Sequence, residues 1–262
     1  MALRVCANLS FMFQETTSLI ERYALAKEAG FRAVECAFPY EYPLEEVIQA
    51  KERAGVDQIL INVFVGDTSK GELGFAAIPG QEEKFKESLN LAIKYAKGLH
   101  CKRIHVMSGR VDNPSSVNDD TYEKNIKYAA SLFEKEGIVG LIEPINPHSV
   151  PKYYMNNFTK GLDIVRRINS PNLRLMMDLF HVQHLQGDLT HTIKTALPYV
   201  GHIQIAQVPN RNEPDTPGEV NYSYIFDVLK DNGYDGWIGL EYKPAKGTKE
   251  GLKWIQNYRV TQ

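Results

Sequence analysis

The chain predicts a single (β/α)8 TIM barrel over residues 1–262, and three observations carry that prediction. Eight short apolar runs have the length of buried parallel strands. Between them lie amphipathic stretches whose apolar residues recur at three- and four-residue steps. The 262 residues contain no internal repeat, low-complexity run or interdomain linker, and eight strand-helix units over about 250 residues is the size of one such barrel. A doubly wound sheet is the runner-up. It needs fewer strands or longer insertions, and its Gly-rich phosphate turn after the first strand is not supplied by ANLSFMF at 7–13.

The first predicted strand is Arg4–Leu9, followed by the helix SLIERYALAKEAG, which closes at Gly30. The second is Ala33–Ala37, and the helix LEEVIQAKERAG closes at Gly55, a residue suited to the left-handed turn that ends many helices. Gln58–Phe64 is the third. After it VGDTSKGELGFAAIPG, residues 65–80, is long, glycine-rich and partly apolar, and leads to a helix beginning near Gln81. Gly66, Gly71, Gly74 and Gly80 give hinge freedom, while Phe75 and Ile78 offer apolar cover. The segment is either a lid or an excursion packed beside the barrel. The fourth strand is Arg103–Ser108, with DTYEKNIKYAASLFEKEG as its helix. The last four are Gly140–Pro144, Leu173–Asp178, His202–Ala206 and Trp237–Tyr242. Loops after the fifth (NPHSVPKYYMNN) and seventh (VPNRNEPDTPGEV) fall on the face where the strand C-termini converge.

Composition narrows the function. At 43% hydrophobic and 24% charged residues the chain can bury a full core. No run approaches the roughly 18 apolar residues of a membrane span, and MALRVCANLS lacks the regions of a secretory signal; a cytoplasmic location is the expectation. A net charge of −2 gives no electrostatic case for nucleic acid or an anionic membrane. Cys6, Cys36 and Cys101 are odd in number and widely spaced, which reads as reduced, buried thiols, with Cys6 and Cys36 as possible neighbours on the first two strands. Nothing indicates an oligomer.

Chemistry concentrates in the second half. LIEPIN at Glu143, LMMDLFH at Asp178, HIQIAQ at Gln204 and WIGLEY at Glu241 each end a short apolar run with one metal-capable side chain. Such groups at the last inward position of barrel strands converge on one face, where oxygen ligands suit a hard divalent cation, Mg²⁺ or Mn²⁺. Any one acid there is as well explained as a helix N-cap or salt-bridge partner; four in succession are not.

Taken together, LRVCANLSFMF, GDTSKGELGFAAIPG, RIHVMSGR, LIEPIN, MMDLFH, HIQIAQVPNRNEPDTPGE and GLEY resemble the hydroxypyruvate isomerase family of the xylose-isomerase-like barrels, over nearly the whole chain. The resemblance implies metal ligands at Glu143, Asp178, Gln204 and Glu241, and acid/base carboxylates at Glu143 and Glu241. Related sugar epimerases carry His where Gln204 stands, and Phe64 stands where some members have Pro.

The residues agree with that chemistry. Moving a carbonyl between adjacent carbons removes one proton and returns another through a planar enediolate, which a cation can stabilise and two opposed carboxylates can serve. A small anionic hydroxy- or oxo-acid also needs a receiver for its carboxylate. Arg211, whose guanidinium can grip it in a fork, is the first choice, with a solvent-exposed loop arginine as the alternative. His181 either polarises a substrate oxygen or caps the next helix; His105 can face the barrel interior, and Lys70 or Glu72 can reach in from the loop at 65–80. His148, His184, His191 and His202 read as structural or supporting residues. A ketose 3-epimerase or an isomerase of a larger oxo-acid would share this machinery. An abasic-site endonuclease would need clustered zinc, for which Gln204 and Asn62 are poor positions, and a barrel kept only for binding leaves four ligands unexplained.

Overall fold

A computed structural model describes residues 2–258 and 260–262. Eight strands close into one parallel barrel in chain order: β1 (Arg4–Asn8), β2 (Ala33–Glu35), β3 (Asp57–Asn62), β4 (Arg103–His105), β5 (Val139–Ile142), β6 (Leu173–Asp178), β7 (Val200–Ile205) and β8 (Trp237–Leu240). Ala7 of β1 is flanked by Val34 of β2 and Leu240 of β8, which closes the ring. Around it run α1 (Leu19–Glu28), α2 (Leu44–Ala54), α3 (Glu82–Gly98), α4 (Ser116–Glu136), α5 (Phe158–Ile168), α6 (Leu179–Leu185), α7 (Leu189–Ala196), α8 (Tyr222–Asp231) and the short α9 (Trp254–Asn257).

Local chemistry sets the helix ends. Asn157 opens α5 by accepting from the Lys160 amide at 2.8 Å, and Ser115 with Asn118 forms a reciprocal cap on α4. At the other end α2 closes on Gly55 at φ 62°. The apolar stripes then face the strands: Phe85, Leu89, Ala92, Ile93 and Ala96 of α3 and Tyr122, Ile126, Ala129 and Phe133 of α4 are all buried. Each large side chain so removed from water contributes about 1.5–3 kcal/mol. Two small clusters lie apart from this main core, Cys6, Ala33 and Ile59 with Trp237, and Leu60, Leu141 and Met176 with Val139. Alternation along the strands puts them inside the barrel, beneath its C-terminal mouth, and a register shift between β2 and β3 lets the adjacent Ile59 and Leu60 both contribute.

Several strands end earlier than the apolar runs suggest, for a reason visible in the backbone bonding. Beyond His105 the chain leaves the ladder: Ser108 bridges Gly74 and accepts from the Ala77 amide at 2.8 Å. Pairing of β5 and β8 likewise stops at Ile142 and Leu240, so Glu143 and Glu241 sit one residue past their strands, at the rim. The connection from β6 to β7 holds two helices, α6 and α7, in place of one.

The segment at 65–80 is a docked excursion with an exposed tip. Gly74 through Ala77 is buried, and Asn118 and Asn125 of α4 donate to the carbonyls of Ala77 and Ala76, each at 2.9 Å. Gly74, at φ 97°, has no room for a side chain, since a Cβ would stand 2.4 Å from the Met107 carbonyl oxygen. Phe75 lies against α3, with the Lys84 amine 5.4 Å from its ring centre, and not over the barrel mouth. Residues 67–71 form an exposed tip, and Pro79 and Gly80 are exposed again just before α3. Cys6 and Cys36 also fall in different surroundings: Cys6 is inside the barrel beside Glu35, and Cys36 meets Gln58 in the outer core.

Candidate active site

Four strand ends bring Glu143, Asp178, Gln204 and Glu241 together at the C-terminal mouth. Glu143, Asp178, His181 and Glu241 each offer a donor atom, all within 4.8 Å of one another. Asp178 is the last residue of β6 and also the N-cap of α6: its Oδ1 accepts from the Phe180 amide at 2.9 Å, leaving Oδ2 for the site. Gln204, penultimate in β7, donates its Nε2 to Glu35 Oε1 at 2.8 Å and to Glu241 Oε1 at 3.3 Å. Its Oε1 is buried without a hydrogen-bond partner, as is Glu143 Oε1. Buried polar atoms left so are rare and call for a partner. An oxygen donor set with two such atoms fits a hard divalent cation.

Charge counting points the same way. Three carboxylates meet one guanidinium, that of Arg211, which leaves two negative charges when all are ionised. Burial, with the neighbouring Glu241 and Asp178, pushes the Glu143 carboxyl well above the usual range. Burial raises Asp178 as well, against the pull of Arg211. For Glu241, burial outweighs Arg211 and lifts the carboxyl to about 8. Protons or a doubly charged ion must therefore offset the surplus.

Arg211 stands between two of the site's carboxylates, Asp178 and Glu241. It donates to Asp178 Oδ2 at 3.2 Å and to Glu241 Oε2, and its Nε reaches the Glu241 carbonyl at 3.3 Å. Phe11 and Phe180 sandwich the guanidinium, each ring centre 4.7 Å from Cζ. Buried Gln207 builds the loop that delivers it, accepting from the Val208 and Val220 amides and donating to the Pro214 and Val220 carbonyls. His181 turns Nε2 toward Asp178 Oδ2 (3.5 Å) and Glu143 Oε1 (3.8 Å). Its Nδ1 takes the Asn146 amide at 3.3 Å, so the ring proton belongs on Nε2, facing the site. Burial, with Arg211 nearby, holds this imidazole well below its ordinary pKa and therefore neutral. His105 does face the interior: it is buried, its Nδ1 is 3.5 Å from Glu143 Oε2, and burial lowers its pKa to about 3.

Lys70 and Glu72 are not brought to this cluster. The Lys70 amine pairs with Asp67 at 3.3 Å on the exposed tip, and Glu72 binds Lys84 at 2.9 Å and the Asp67 amide at 2.7 Å. Both side chains are held by the loop's own turn and by α3, away from the mouth.

Sequence reasoning passed over Glu35, Asn8 and Asn146. Glu35 is fully buried, its oxygens accepting from Asn8 and Gln204 on one side and meeting His202 Nε2 at 2.6 Å on the other. The signal was present in FRAVECAF, where an acid interrupts a strand with no polar alternation to place it in solvent. Asn8 donates to Glu35 and to Glu241 Oε1, at 2.8 and 3.2 Å, while its own oxygen is pinned by the Ser10 amide.

The chain as a whole is similar to several known proteins. A family described as xylose isomerase-like TIM barrel matches residues 23–258. A Danio rerio protein provisionally named a hydroxypyruvate isomerase is 46% identical over 98% of this chain and 95% of its own length. The 2-oxo-tetronate isomerase of Cupriavidus necator is 41% identical, covering 97% of this chain and 98% of its own. A crystal structure described as an AP endonuclease, family 2, from Brucella melitensis superposes with a TM-score of 0.94 at 40% identity, covering 99% and 100% of the two chains.

Proposed function

This chain belongs to the xylose isomerase-like TIM-barrel family, in its hydroxypyruvate isomerase branch, and on that premise we propose that it interconverts hydroxypyruvate and 2-hydroxy-3-oxopropanoate. Isomerisation of small oxo-acids is the activity named for its full-length relatives. The observation that carries the reading is the meeting of Glu143 and Glu241, from β5 and β8, around Asp178 and the partnerless oxygen of Gln204.

One glutamate removes the proton from the hydroxyl-bearing carbon, and the other returns a proton to the former carbonyl carbon, an acid/base contribution of about 10²- to 10⁴-fold. Glu143, with Oε1 free of hydrogen bonds, and Glu241, steadied by Asn8, Gln204 and Arg211, are the pair. Glu143, Asp178, Gln204 and Glu241 would hold Mg²⁺ or Mn²⁺, which supplies positive charge where the planar enediolate concentrates negative charge. Arg211 can keep Nε on the Glu241 carbonyl and turn its fork to the substrate carboxylate. His181, with Nε2–H facing the cluster, donates to a substrate oxygen; His105 lines the wall behind Glu143. Phe11 and Phe180 limit water around the guanidinium.

Proton NMR of the metal-stripped protein with hydroxypyruvate in D₂O, before and after adding Mg²⁺ or Mn²⁺, tests this. Metal-dependent 2-hydroxy-3-oxopropanoate, with deuterium at the migrating position, is the expected result. Turnover of 2-oxo-tetronate and not hydroxypyruvate would move the substrate to four carbons and keep the chemistry. The name of the Brucella melitensis structure suggests a second test, cleavage of abasic DNA with zinc; cutting at a rate above the isomerisation would replace the reading. Gln204 in place of a further imidazole, and a net charge of −2, argue against that outcome.

A further inference from the structure

Beneath the mouth, inside the barrel, Glu35 is a buried carboxylate that no proton-transfer role uses. Its Oε1 accepts from Asn8 Nδ2 and from Gln204 Nε2, both at 2.8 Å. Its Oε2 meets His202 Nε2 at 2.6 Å and the Cys6 thiol at 3.6 Å. Glycine on β8 makes the space for it: a Cβ on Gly239 would lie 2.3 Å from Glu35 Oε1.

A primary amide has two faces of similar shape, one that donates and one that accepts. Which face Gln204 shows to the mouth decides whether it can bind a cation, because only the oxygen can. Glu35 and Glu241 both place carboxylate oxygens beside Nε2, so a flipped amide would set its oxygen against two acceptors. That leaves Oε1 pointing away from them, buried and partnerless.

We propose that Glu35 is a positioning residue for the cation site: by holding the Gln204 –NH₂ it turns the amide oxygen to the mouth and fixes it as a ligand. The inference rests on the reading of Gln204 as a ligand given above. Charge on Glu35 is not what matters in this arrangement; an acceptor atom at the Oε1 position is.

Binding of Mn²⁺ alone, followed by the paramagnetic resonance of the free ion, tests it without any turnover. Glu35→Met, similar in length and adaptable in packing, should weaken Mn²⁺ binding about 10- to 100-fold, the usual loss when a group orienting a ligand is removed. Glu35→Gln, which keeps an oxygen able to accept from Gln204, should restore affinity to within about threefold of wild type, on the same scale. In a Gln204→Ala background Glu35→Met should cost nothing further, because the two act through one contact. The proposal is overturned by wild-type affinity in Glu35→Met, by equal losses in the Met and Gln variants, or by additive losses with Gln204→Ala. If Gln204→Ala binds Mn²⁺ normally while Glu143→Gln does not, the ligand reading of Gln204 fails and takes the proposal with it.

Should Glu35→Met not fold, the side-chain amide of Gln204 is read in the wild-type protein by NMR. An Nε2 proton shifted downfield and protected from solvent exchange, unchanged when Mg²⁺ is added while the side-chain carbonyl carbon shifts, is the expected signature. Nε2 protons that exchange with solvent as fast as those of an exposed glutamine, or a carbonyl carbon that does not move with Mg²⁺, would overturn the assignment.

Discussion

Glu143 and Glu241 differ in what surrounds them, and that difference organises the residue-scale expectations. Glu143→Gln and Glu241→Gln each keep the side-chain volume and should lower turnover by about 10²- to 10⁴-fold with the circular dichroism unchanged; near-normal turnover in either would end the two-base account. Arg211→Ala should act mainly on KM, raising it about 10- to 100-fold, the worth of a charge-assisted pair of hydrogen bonds. Since Arg211 also touches Asp178 and Glu241, Arg211→Lys, which keeps the charge and loses the fork, should recover less than half of that loss on a logarithmic scale. An unchanged KM in Arg211→Ala would place the carboxylate receiver elsewhere. The four candidate ligands were legible because four apolar runs in succession close on a metal-capable side chain, a pattern that single N-caps or salt bridges do not explain. Glu35 was not, because an acid inside a strand declares itself only when its partners are known, and Asn8, His202 and Gln204 come from β1 and β7, far along the chain. Asn146, read only as part of LIEPIN, turned out to set the tautomer of His181 across 35 residues of sequence.

At the scale of elements, two positions show what the barrel's geometry demands. Gly239→Ala would drive a methyl group into the Glu35 carboxylate, so it should cost about 1–3 kcal/mol, measured as a Tm lowered by about 2–4 °C per kcal/mol. A variant as stable as wild type would mean that Glu35 moves aside easily, and its contact with Gln204 would then be loose. Asn125→Ala removes the bond to Ala76 that helps tie the 74–77 segment to α4, at a cost of about 1–3 kcal/mol for the carbonyl left buried. Faster hydrogen exchange confined to 72–80 would check it. The strands were readable from the sequence because a parallel sheet covered on both faces needs continuous apolar runs; their ends were less so, since pairing stops where the chain turns to a loop partner such as Gly74 on Ser108. The docking of 74–77 was invisible for the same reason: its anchors, Asn118 and Asn125, sit in a helix that reads as ordinary amphipathic sequence.

For the whole molecule, removal of divalent cations should abolish turnover, with Mg²⁺ or Mn²⁺ restoring it better than Ca²⁺, whose larger coordination sphere suits a compact cluster poorly; full activity in the stripped protein would refute the cation's role. The three thiols are buried, and burial pushes Cys36 and Cys101 up to about 12, so a thiol reagent at pH 8 should label the native protein far more slowly than the unfolded one. The exposed tip at 67–71 has a consequence of another kind. Lys70 lies there, and the chain on either side is secured, by β3 before it and by the buried 74–77 segment after it. Trypsin should therefore nick the bond after Lys70 first, giving pieces that carry β1 to β3 and β4 to β8. The β3–β4 and β8–β1 ladders would still hold these together, so a denaturing gel should show two bands while gel filtration shows one particle. The seam of such a two-piece barrel would lie away from the Glu143, Asp178 and Glu241 cluster.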